Sequence, residues 1–70
     1  MRSPEEIAES CLVSWERHGY TGKQALLEAA GTAAGECARE LLDGRQADAV
    51  AYAWAWRILE DRRNLRGAAS

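Results

Sequence analysis

The sequence predicts an all-α domain, a compact three-helix bundle, on three observations. Apolar residues recur at three- and four-residue spacing along most of the chain, the period of one helix face. Serine, threonine and glycine stand where helices begin and end. The single proline, Pro4, falls directly after a start signal, where its fixed backbone angle suits the first helical turn.

The first helix is expected over about residues 4–18. Ser3 can accept from an orphan backbone N–H, and Glu6 completes a Ser-x-x-Glu capping box. Glu5 and Glu6 also sit at the positive end of the helix dipole. Ile7, Ala8, Cys11, Leu12 and Trp15 form one buried face. Gly19 ends the helix because glycine takes the left-handed conformation without steric cost, and Tyr20 can pack back on Trp15.

A second helix is expected over about 22–43, with Thr21 and Gln24 as another capping box and Asp43-Gly44 as its end. Leu26, Leu27, Ala30, Ala33, Ala34, Cys37, Ala38 and Leu41 fall on one arc, which is read as its buried side. Gly31 and Gly35 interrupt this helix. They mark either a kink or break near Gly31 or a ridge that lets a neighbouring helix approach closely.

The third helix, about 45–65, carries two apolar stripes. Ala47, Val50, Ala51, Trp54, Ile58 and Leu65 are expected to face the other helices. Ala49, Tyr52, Ala53, Trp56 and Leu59 form the opposite stripe. Eleven of the 13 residues from Ala47 to Leu59 are apolar, and a helix that is apolar nearly all round is normally buried on every side. Two short neighbours cannot surround it, so the excess calls for a partner. Tyr52, Trp56, Leu59, Ala49 and Ala53 are therefore the expected partner interface, because tyrosine and tryptophan dominate binding hot spots. Self-association through a twofold helix pair is the default form of such a contact.

The 70 residues make one domain. A hydrophobic content of 47% with 29% charged residues excludes a disordered chain, and two cysteines cannot staple a disulfide scaffold. The length leaves no room for a large cofactor enzyme. Cys11 and Cys37 read as reduced core thiols, and the absence of an apolar leader or a 20-residue apolar run suggests a cytoplasmic protein with no membrane contact. No His/Cys spacing suits a metal, and no cofactor is expected. Ser14 and His18 lie four residues apart, yet no third group completes a nucleophilic triad. The chain therefore reads as non-enzymatic.

The net charge of −2 is unevenly spread. Residues 1–44 sum to −4, and Glu5, Glu9, Glu16, Glu28, Glu36 and Glu40 are candidates for an acidic surface that imitates a nucleic-acid backbone. Residues 45–70 sum to +2, with Arg57, Arg62, Arg63 and Arg66 as a basic tail. A helix-turn-helix made by breaking the second helix at Gly31-Thr32 would offer Glu36, Arg39 and Glu40 to a DNA groove, where carboxylates repel phosphates, so direct nucleic-acid binding is disfavoured.

The expected function is a small protein–protein interaction module. Its sharpest form is a phage or mobile-element inhibitor that blocks a host complex, by acidic mimicry or by steric occupation. Size, acidity and helical content are what it shares with anti-CRISPR proteins, and no motif of such a family is present. The alternatives are a homodimeric DNA-binding regulator or antitoxin that uses the arginine tail, and a helical chaperone or assembly factor.

Overall fold

A computed structural model describes residues 2–69, with side chains through Leu65. Three helices follow one another: α1 (Pro4–Arg17), α2 (Gly22–Leu42) and α3 (Gln46–Ala69), and no strand occurs among the described residues. The expected all-α three-helix bundle is the observed architecture.

The caps set most of the boundaries. Ser3 adopts an extended conformation and its Oγ accepts from the Glu6 N–H at 3.2 Å, while the same hydroxyl donates to Glu6 Oε1 at 3.2 Å. Gly19 (φ +96°) and Gly44 (φ +79°) take the left-handed conformation directly after the C-caps His18 and Asp43, as their positions imply. The second capping box does not form. Thr21 makes no side-chain cap bond, and Gln24 instead donates to Glu28 one turn on, at 3.1 Å.

α2 runs unbroken from Gly22 to Leu42, so there is no break at Gly31 and no helix-turn-helix. The close-approach reading fails within the monomer as well. Gly31 and Gly35 are exposed, and a Cβ on either would meet nothing within 4 Å.

The core is largely alanine. Ala8, Ala25, Ala29, Ala30, Ala33 and Ala55 are each at most 1% exposed, and among the described residues only Leu26 and Leu59 supply large, fully buried side chains. Ile7 and Leu12 join them from α1, with Trp15, Tyr20, Tyr52 and Ile58 packed around the edge. Small faces let helix axes approach toward the lower end of the usual range of about 8–10 Å.

That packing corrects the expected orientation of two helices. α2 presents Ala25, Leu26, Ala29, Ala30 and Ala33 inward, while Leu27, Ala38 and Leu41 face solvent. Its buried arc is turned by about 80° from the expected one at 100° per residue. α3 is turned by about one residue in the opposite sense. Val50, Trp54, Ala47 and Leu65, expected inside, are exposed, whereas Ala49, Ala55 and Leu59 are buried. Ala51 and Ile58 keep their expected inward placement.

One polar bond ties α1 to α2. Trp15 Nε1 donates to Thr32 Oγ1 at 2.8 Å, and that hydroxyl donates to the Glu28 carbonyl at 3.1 Å. Tyr20 meets the Trp15 ring edge-on at 5.2 Å between centroids, as the sequence suggests.

The two leucines at opposite extremes of burial test this core. Leu59→Ala removes a fully buried side chain and should cost about 2–5 kcal/mol in urea unfolding. Leu42→Ala, at a site 88% exposed, should stay within about 0.5 kcal/mol of wild type.

Candidate functional site: an apolar groove on the third helix

α3 keeps an apolar surplus on its outer side, although not from the expected residues. Val50, Ala53, Trp54, Trp56, Arg57 and Glu60 line an open groove of about 410 Å³ that belongs to this one helix. Trp54 is 57% exposed and Trp56 44%, values that leave much of both indole surfaces in water. Tryptophan offers a large rigid contact area, and burial of such a ring against a partner is strongly favourable. Arg57 and Glu60 add one charge of each sign at the rim.

The five expected interface residues divide. Trp56 and Ala53 line the groove. Leu59 and Ala49 are buried inside the monomer, and Tyr52 is half-buried against the core, so these three are withdrawn from the outer surface. Val50 and Trp54 take their place. Their exposure was masked in the sequence by their size, since large apolar residues are ordinarily assigned inward.

The acidic residues do not merge into one surface. Glu40 is 6% exposed and is the one charged residue in the core among those described. Its carboxylate accepts from Arg45 at 3.5 Å, a long contact to a guanidinium that lies mainly in solvent. Glu28 accepts from Gln24, Glu36 pairs with Arg39 at 2.6 Å, and Glu9 pairs with Arg62 of α3 at 3.4 Å. Glu5, Glu9 and Glu16 share the edge of α1 that faces Arg62. The bond from Trp15 to Thr32 marks a different edge as the one toward α2, which carries Glu28 and Glu36.

The basic tail is also internally engaged. Arg57 pairs with Asp61, Arg62 with Glu9 and Arg63 with Glu60. The Arg66 side chain lies outside the described residues.

The catalytic alternatives gain no geometry. His18 Nδ1 meets the backbone carbonyl of Ser14 at 2.7 Å, not its hydroxyl. No group of three metal-ligating side chains occurs among the described residues, and none of their helices is long and apolar enough to cross a membrane. Cys11 and Cys37 are free and half-buried. Comparison with known protein families, with curated proteins and with solved structures yields no match.

Burial pushes the Cys11 thiol above its ordinary range. The Arg2 guanidinium partly opposes this shift, and Glu36 adds to it. Because the thiolate is the reactive form, a Cys37→Ala chain should react with a disulfide reagent several-fold more slowly than free cysteine near pH 8. The rate should keep climbing at pH values where free cysteine has levelled off.

Proposed function

We propose that the chain is a non-enzymatic protein–protein interaction module whose α3 groove receives an apolar segment of another protein. The carrying observation is the pair of exposed tryptophans, Trp54 and Trp56, at the two edges of an open groove that Val50 and Ala53 line between them. A domain of this size gains nothing in stability from indoles left in water, and contiguous apolar surface on a small protein usually marks a contact site. Residues 50–60 span about 15 Å of helix, a length suited to two or three turns of a partner helix laid alongside.

Within this class, a steric blocker of a host machine, of the kind a phage or mobile element carries, is the narrower reading. Charge mimicry has less support, because Glu40 is buried, Glu9 is paired with Arg62 and Glu36 with Arg39. The DNA-binding alternative loses support for the same reason, since Arg57, Arg62 and Arg63 are each paired with a carboxylate.

The test compares wild type with Trp54→Glu and Trp56→Glu chains, immobilised and exposed to lysate of the source cells. Both variants should keep the wild-type circular dichroism while losing one specific bound protein at least tenfold. Equal retention of all proteins by wild type and variants would contradict the reading, as would tight duplex-DNA binding that weakens steeply with salt.

A further inference from the structure

α2 also leaves apolar surface uncovered, on a face that the groove does not include. Leu27 and Leu42 are exposed there, and Gly31, Gly35 and Ala38 lie exposed between them, with Ala34 half-buried. At 100° per residue these six positions share an arc of about 100° that holds no charged side chain. Glycine is the weakest helix former after proline. Nothing inside the monomer requires one here, since a Cβ at Gly31 or Gly35 enters open space.

The side-chain sizes are symmetric about the midpoint between Ala34 and Gly35. Leu27 stands as far before that point as Leu42 stands after it, Gly31 matches Ala38, and Ala34 matches Gly35. In an antiparallel twofold pair each of these positions lies level with its counterpart in the second copy, leucine beside leucine and small residue beside small residue.

Charges continue the pattern. Glu28 and Arg39 edge the arc on the same side, at opposite ends. Two copies of α2 laid antiparallel about a twofold axis at the midpoint would bring Glu28 to within about 3 Å, along the axis, of Arg39 of the second copy, twice over. In the single chain the Arg39 side chain is mainly in water and reaches only Glu36 of its own helix, among the described residues. Glu28 has only Gln24 there.

We infer that a second copy of this chain covers the outer face of α2, as an antiparallel pair of α2 helices crossing at Ala34–Gly35. Small residues meet over the centre and allow close approach, Leu27 packs beside Leu42 of the second copy at each end, and Glu28–Arg39 pairs flank the crossing. This contact does not use the α3 groove.

Sedimentation of the full chain from about 1 μM to about 1 mM tests the proposal, and the mass should rise toward twice that of the chain. Gly35→Leu should weaken association at least tenfold without loss of helicity, because leucine is the better helix former and the site is open. Glu28→Arg should weaken it roughly tenfold, and the double change Glu28→Arg with Arg39→Glu should restore it. A chain monomeric throughout overturns the proposal. So does a dimer indifferent to Gly35→Leu, a double variant no better than Glu28→Arg, or a dimer abolished by Trp54→Glu instead.

Discussion

Alanine at the crossing points of the three helices fixes how closely they lie, and the remaining architecture follows from that spacing. Faces built from Ala25, Ala29, Ala30 and Ala33 on α2 and from Ala51 and Ala55 on α3 line the core with methyl groups. Leu26 and Leu59 fill what space there is. Protein interiors are packed near crystal density, so a helix face of methyl groups and one of large side chains cannot be exchanged without moving a backbone.

This constraint accounts for the large apolar residues left outside: Trp54, Trp56 and Val50 are exposed on α3, and Leu27, Leu41 and Leu42 on α2. A small domain has little core with which to offset the entropy of ordering the chain. Alanine faces compensate in part because alanine is the best helix former and loses no rotamer freedom on burial. Surface left over in this way is available for contact, and its two patches sit on different helices with different textures. The α3 groove is aromatic and rimmed by charge, while the α2 face is nearly flat and built from small residues.

What was legible in the sequence depended on local chemistry. Ser3, Glu6, Gly19 and Gly44 act on the backbone within a few residues, so the helix ends could be read from them directly. The buried side of α1 was readable too, because Ile7 and Leu12 are its main bulky aliphatic side chains and both turn inward. Orientation of α2 and α3 was not, since apolar residues cover more than half the circumference of each helix and more than one arc could serve as the interior. Weighting by size pointed Leu27, Leu41, Val50 and Trp54 inward, and the alanine arc won on fit. Glu40, read as surface, and Thr32 were misplaced for a related reason. The burial of Glu40 and the bond from Trp15 to Thr32 depend on helices brought together over long sequence separations, which no local pattern encodes.

The spacing set by alanine is tested most directly by enlarging one such residue at the centre of the core. Ala55→Leu adds apolar bulk at a fully buried site with almost no change in helix propensity, so urea unfolding reads packing alone. A loss of about 1–3 kcal/mol is expected, because the added side chain must force the helices apart. Unchanged or increased stability would mean that the helices have slack between them, and that the tryptophans are outside for some other reason.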